Sequence, residues 1–238
     1  LPSPSSATTT SPEFCATVSL HALLPLDRYI LTNITDPSSN ATDSASAVDF
    51  ATNGITGPTA INESTVATGQ QQRANNIYAE TTFVCPSYWM AEAYTGNSKQ
   101  SFRYQYSVPA AQHGADVSGY FGPAAPTQGP SFVAAFMSIW GQFVTNSNPS
   151  IPANIAGAGG QAAVNFPRFN VWNPVQVNLN QTGGQEKYGP IGVQSINATV
   201  YVGPGLENDF SVVNAYDWEG GRGQRCDFWR AVAKIVPE

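Results

Sequence analysis

The 238-residue chain carries charged residues at only 11% of its positions, against about a quarter in an average soluble domain, and its formal net charge is -6. Three lysines in the whole sequence leave no basic stripe to neutralise a phosphate backbone, which excludes nucleic acid as a partner. The longest apolar runs, such as Phe132 to Ile139, are too short to span a bilayer. Leu1 to Thr10 lacks the regions of a signal peptide, so the chain reads as soluble and, if secreted, already processed.

Five Asn-x-Ser/Thr acceptors occur, at Asn33, Asn40, Asn62, Asn180 and Asn197, none with proline between. With scarce lysine and a pI near 4.8 they point to a secreted, extracellular glycoprotein bearing N-glycans at these positions. Three cysteines allow one disulfide and one cysteine left over, which in a secreted protein raises the question of a second chain.

In chain order, residues 1–69 form a polar segment rich in Ser, Thr, Pro, Asn and Ala, with one apolar island from Val18 to Leu31 that contains His21. From Gln70 the character changes. Ala74, Ile77, Tyr78, Phe83, Val84, Tyr88, Trp89 and Ala91 recur at helical spacing over about six turns, with Pro86 expected to kink or divide the helix and Gly96-Asn97 to close it. Phe102, Tyr104, Tyr106 and Val108 then alternate with Arg103, Gln105 and Ser107 as a strand that Pro109 ends.

A short loop leads to His113-Gly114-Ala115-Asp116. An amphipathic helix is expected from Ser131 to about Val144, with Phe132, Phe136, Ile139, Trp140 and Phe143 on its apolar side. Ile155 to Gly160 reads as a flexible glycine-rich connection, Val171–Leu179 and Ile196–Val202 as strands, and about Gln224 to Ile235 as the last helix. That helix is expected to bury Cys226, Phe228, Trp229, Val232 and Ile235. Helices interleaved with strands define an α/β arrangement.

The segment Phe83-Val-Cys-Pro-Ser-Tyr-Trp-Met90, the strand Phe102-Arg-Tyr-Gln-Tyr106, the turn Ala111-Gln-His-Gly-Ala-Asp116 and Tyr120-Phe121-Gly122 follow one another in order. So do Trp140, Phe166-Pro167, Leu179-Asn180 and Arg225-Cys-Asp-Phe-Trp229. This ordered set resembles the carboxy-terminal part of type-B carboxylesterases, the family of the cholinesterases and the fungal lipases and esterases, over residues 70–238. The polar content, the glycan acceptors and the run Ala67 to Asn76 resemble its secreted fungal branch. The resemblance implies the carboxy-terminal portion of an α/β-hydrolase fold, a mixed, mostly parallel sheet flanked by helices. It also implies a disulfide between Cys85 and Cys226, worth up to about 5 kcal/mol in the chain-entropy model.

Ester hydrolysis on such a fold needs a serine, an imidazole, a carboxylate and oxyanion donors, in the chain order serine, acid, histidine. The resemblance makes His113 the catalytic histidine, on a loop after a strand, able to take the serine proton and return it to the leaving alcohol. No Gly-x-Ser-x-Gly elbow occurs, so serine and acid are expected on an amino-terminal chain of the same precursor, acting with this one on a small-molecule or lipid ester. Cys15 either links the two chains or stays a free or modified thiol.

His21 carries no matching motif, and Glu13 lacks the neighbours of the family's acid. Asp116 is expected to cap or steer the turn after His113, because three residues on it is poorly placed to take the Nδ1 proton. Gly157-Ala-Gly-Gly160 looks like an oxyanion loop but follows the histidine, the wrong side for this fold. No metal-ligand spacing and no phosphate-cradling loop is present, so no cofactor is implied. The alternative is a secreted, non-catalytic binding or adhesion protein of the same fold.

Overall fold

A computed structural model describes residues 78–96, 98–109, 111, 113–191 and 196–234. The polar segment 1–69, with Glu13, Cys15, His21, Asn33, Asn40 and Asn62, and the expected helix start at Gln70, lie outside the described residues.

The first helical stretch does not run evenly through Pro86. A π-helical turn, Glu80–Val84, precedes helix α1, Cys85–Ala93, and the Cys85 N–H donates to Glu80 O five residues back. Proline has no N–H to give to the residue four before it. The ladder therefore widens by one residue just ahead of Pro86, as in the single-turn π insertions that interrupt other helices.

Strand β1, Tyr104–Tyr106, is only three residues long, although the alternation continues beyond it: Phe102 packs against the core and Val108 is fully inside it. After β1 come helix α2, Val117–Phe121, and helix α3, Pro130–Asn146, which has Pro130 in its first turn, where a missing N–H costs nothing. Helix α4, Ala153–Ala156, and a 3-10 turn, Ala158–Ala163, lead to strands β2, Val175–Thr182, β3, Gln185–Ile191, β4, Ile196–Val202, and β5, Glu207–Asn214. Helix α5, Trp218–Val232, ends the described chain.

The mixed α/β class is as expected, but among the described residues the pairing is not mostly parallel. β1 pairs with β2 in parallel, β2 with β5 antiparallel, and β3 with β4 antiparallel as a separate ribbon. Connection length accounts for this. The long crossover through α2 and α3 can return the chain parallel, whereas β2 and β5 are joined only by the β3–β4 ribbon.

Helices cover both faces of the three-stranded sheet. On one face Phe132, Ala135, Phe136 and Ile139 of α3, spaced i, i+3, i+4 and i+7, bury against Val177 and Leu179 of β2 and Phe210 of β5. Tyr104 and Tyr106 point the same way and pack edge-on or stacked against Phe136. Gln105 lies on the opposite face, where Arg222 of α5 donates to its Oε1 at 2.8 Å. Arg103 joins that side too, its guanidinium 3.6 Å from the Tyr88 ring of α1 and its Nη1 donating to Ser87 Oγ at 3.2 Å. Burial lowers the Arg103 pKa from the usual arginine value.

The outer layer is closed covalently. Cys85 and Cys226 form a disulfide with Cα atoms 5.0 Å apart, joining α1 to α5 across a sequence separation of 141. Beside it Glu80 Oε1 accepts from Arg225 Nε at 2.7 Å, and Glu80 Oε2 accepts from Trp229 Nε1 at 3.1 Å. The Arg225 and Glu80 side chains are only 1% and 10% exposed. Arg230 and Glu92 add a second ion pair between the same two helices.

Two further expectations change. Residues 155–160 are not a flexible connection: a Cβ on Gly159 would stand 1.6 Å from Asn208 O, and Asn208 Nδ2 donates to Ala156 O at 2.8 Å. The glycine is there for close packing against β5. The last helix begins six residues earlier than expected, at Trp218, carried through its glycines by tertiary packing of Trp218, Arg222 and Arg225, which are all buried. Phe228, Trp229 and Val232 are only partly buried, and Ile235 lies outside the described residues.

Removing one member of a buried ion pair typically costs about 3–5 kcal/mol, so Glu80→Ala is expected to lower the free energy of unfolding by an amount in that range. The paired Cys85→Ser/Cys226→Ser variant should lose up to about 5 kcal/mol, the closure of the long loop. Equilibrium unfolding of the oxidised parent and the two variants measures both.

Candidate functional site around His113

His113 opens a turn, residues 113–116, on the loop beyond β1, and is exposed. Gly114 in this turn has φ +78°, a backbone conformation that other residues rarely adopt. Val117 N–H donates to Gly114 O at 3.1 Å and Gly119 N–H to Asp116 O at 2.8 Å, leading the turn directly into α2.

The tyrosines of β1 hold this turn from below. Their rings belong to the core, while their hydroxyls reach out of it. Tyr104 OH donates to Asp116 Oδ2 at 2.9 Å. Tyr106 OH accepts from Gln128 Nε2 at 3.0 Å, and the same Gln128 nitrogen donates to Ala115 O at 3.1 Å. Gln128 Oε1 accepts from Ser118 Oγ at 2.9 Å and from Ala125 N at 3.0 Å. One buried amide thus ties strand, turn and α2 together. Asp116 steers the turn through Tyr104; its side chain makes no cap hydrogen bond at the start of α2.

Burial, followed by the nearby Asp116 carboxylate, holds the Tyr104 phenol above its ordinary range. Burial pushes the Tyr106 phenol up to about 12, against the lowering effect of its bond from Gln128.

The imidazole ring itself rests on Phe83 of the π turn, with ring centroids 4.6 Å apart and a tilt of 35°. Phe83 is met edge-on by Tyr78 at 5.8 Å. Among the described residues neither nitrogen of His113 has a hydrogen-bond partner, and none of its bonds or ion pairs is to a serine or a carboxylate. The described part of the chain therefore presents a histidine without the other members of a triad.

Phe83 is also one wall of an open cavity of about 710 Å³ that runs between α1, the start of β1 and the end of α3. Met90, Tyr94, Phe102, Tyr104 and Phe143 line it, and Phe83, Met90, Tyr94 and Phe143 are exposed. β1 lies at the edge of its sheet, with no strand beyond it among the described residues.

Of the aromatic pair, Tyr120 stacks on Trp140 at 4.6 Å and serves the core, whereas Phe121 is exposed. Asn180 stands within β2, half-buried, with its Oδ1 buried and without a hydrogen-bond partner; Asn197 is in β4. Among the described residues no cluster of three His, Cys, Asp or Glu could hold a metal, and no helix is long and apolar enough to cross a membrane. No family model, curated protein or solved structure matches the chain.

The sequence picked out His113 and Asp116 but missed Phe83 and Gln128 as their supports. Phe83 stood out as one apolar position on a helix and as the first residue of the segment Phe83 to Met90, with nothing to link it to His113. Gln128 had no signal at all, since a single amide in a polar loop looks solvated until the fold buries it.

An unfolded tyrosine titrates near 10, whereas Tyr106 keeps its proton to about 12 in the fold. The folded state thus binds that proton more tightly, so the associated stability is complete below the unfolded value and is lost as the pH rises through the folded one. Denaturant unfolding is expected to show a lower midpoint at about pH 11 than at about pH 8, with the difference reduced in Tyr106→Phe. At neutral pH, Gln128→Leu should cost about 2 kcal/mol or more, because it leaves Ala115 O and Ala125 N without their partner inside the fold.

Proposed function

We propose that this chain is the histidine-bearing part of a secreted serine esterase of the α/β-hydrolase type, with the serine and the acid supplied by a companion amino-terminal segment of the same precursor. The observation that carries this reading is the presentation of His113: an exposed imidazole on a turn braced by three elements, with both nitrogens unengaged by the described chain. A histidine kept for core packing would be buried, whereas this one is exposed.

Three further observations support it. The turn follows a strand that lies between helical layers, where α/β sheets present reacting groups. The edge of β1, with no strand beyond it among the described residues, and the exposed apolar wall beside it form a surface suited to burial by further protein. The Cys85–Cys226 disulfide agrees with the resemblance that led to the reading and with an oxidising compartment.

In the proposed reaction the companion's serine hydroxyl attacks the ester carbonyl. His113 takes the serine proton and returns it to the departing alcohol; water then repeats the sequence on the acyl-enzyme. The acid binds the remaining imidazole N–H and fixes its tautomer. The apolar cavity beside Phe83 gives an acyl chain or an aromatic group of the ester a surface to lie on.

Intact mass spectrometry of native material treated with a fluorophosphonate, with and without reductant, tests this directly. The expected result is a second polypeptide carrying the covalent label on serine. His113→Ala should abolish labelling and lower ester turnover by at least about a thousandfold. A single unlabelled species of this chain would instead favour a non-catalytic binding protein.

A further inference from the structure

A histidine whose two nitrogens are given to the companion's serine and acid has neither left for its own chain to hold. It can still be held through the face of its ring. We propose that Phe83 is the positioning residue for His113, fixing the plane of the imidazole by stacking while both nitrogens at the ring edge stay available. The inference rests on the hydrolase reading above.

The contact lies in the range of favourable aromatic pairs, with centroids 4.6 Å apart and planes tilted by 35°. What distinguishes Phe83 from an incidental neighbour is how firmly its backbone is fixed. Three residues before it, Glu80 is clamped by Arg225 and Trp229; two residues after it, Cys85 is bonded to Cys226. Both anchors are buried, yet Phe83 between them is 42% exposed.

The π turn accounts for this difference. The residue it accommodates lets the chain satisfy the anchors at both ends while Phe83 faces outward instead of joining the inner layer. Tyr78 edge-on to Phe83 buttresses the ring from another side. A side chain exposed in this way contributes little to the core, so its placement is explained better by the imidazole it supports than by packing.

The plane of the ring matters because a misplacement of about 1 Å in a reacting group can cost as much as a hundredfold in rate. Loss of the stack would reduce the fraction of time the imidazole is correctly aimed, whereas loss of Phe83 as a wall of the cavity would be read in KM. The expected signature of the positioning role is a fall in kcat that exceeds any rise in KM.

The test uses the complete protein, with the serine-bearing segment present, and the variants Phe83→Ala, Phe83→Leu and Phe83→Tyr. Proton NMR of the histidine rings reads the stack itself. This chain contributes His21 and His113, and the resonances lost in His113→Gln are those of His113. In the parent the His113 ring protons should be shifted upfield by the Phe83 ring; the shift should vanish in the Ala and Leu variants and return in Tyr.

In parallel, kcat is expected to fall between about tenfold and a hundredfold in Ala and Leu and to recover in Tyr, the fall in kcat exceeding any rise in KM. Leu keeps the apolar bulk, so a loss shared by Ala and Leu separates the aromatic face from simple filling. An unshifted His113 in the parent, or unchanged kcat in variants that have lost the shift, would overturn the proposal. A parent with the ring shift but no ester turnover would overturn the hydrolase reading and the catalytic use of the stack, while leaving the contact established.

Discussion

Two cysteines 141 residues apart in sequence meet with their Cα atoms 5.0 Å apart, and the described fold is organised around that closure. It brings the first and last described helices into one layer, and the buried contact of Glu80 with Arg225 and Trp229 sets their relative position. Neither feature substitutes for the other. The disulfide limits how far the unfolded chain can spread. The ion pair is directional, and its partners must be fully met once they leave water. Together they fix the π turn, and through it the ring on which His113 rests.

The opposite layer provides the second half of the support. The tyrosines of β1 behave as amphipathic side chains, with rings in the core beside Phe132 and Phe136 and hydroxyls in the polar network at its margin. The His113 turn is thus suspended between a layer fixed by covalent and ionic contacts and a layer fixed by aromatic packing. Because the hydroxyls of Tyr104 and Tyr106 bond to different elements, the turn is held at Asp116 and at Ala115 independently.

What the sequence revealed depended on how strongly each element advertised its buried face. α3 was readable because Phe132, Phe136 and Ile139 recur at helical spacing, and β1 because aromatics alternate with polar residues. β5 was missed because Phe210 is its sole core side chain amid Glu207, Asn208, Asp209 and Ser211; its pairing with β2 supplies what the pattern lacks. β3 was hidden by Gly189 and Pro190, residues disfavoured in strands and tolerated here in a two-stranded ribbon. α2 is five residues long and contains Gly119, too short for any periodicity to show. At the site, a chemical type such as histidine can be found by inspection, but the Phe83 contact joins positions thirty residues apart and has no local signature.

The same disulfide has a consequence for handling the protein. A protease that cuts once anywhere between Cys85 and Cys226 leaves two fragments still joined through sulfur. Such material keeps its apparent size until a thiol is added, when it separates into bands. A polypeptide clipped during secretion or storage could therefore look intact in non-reducing gels and by size-exclusion chromatography. The state of its backbone is visible only after reduction.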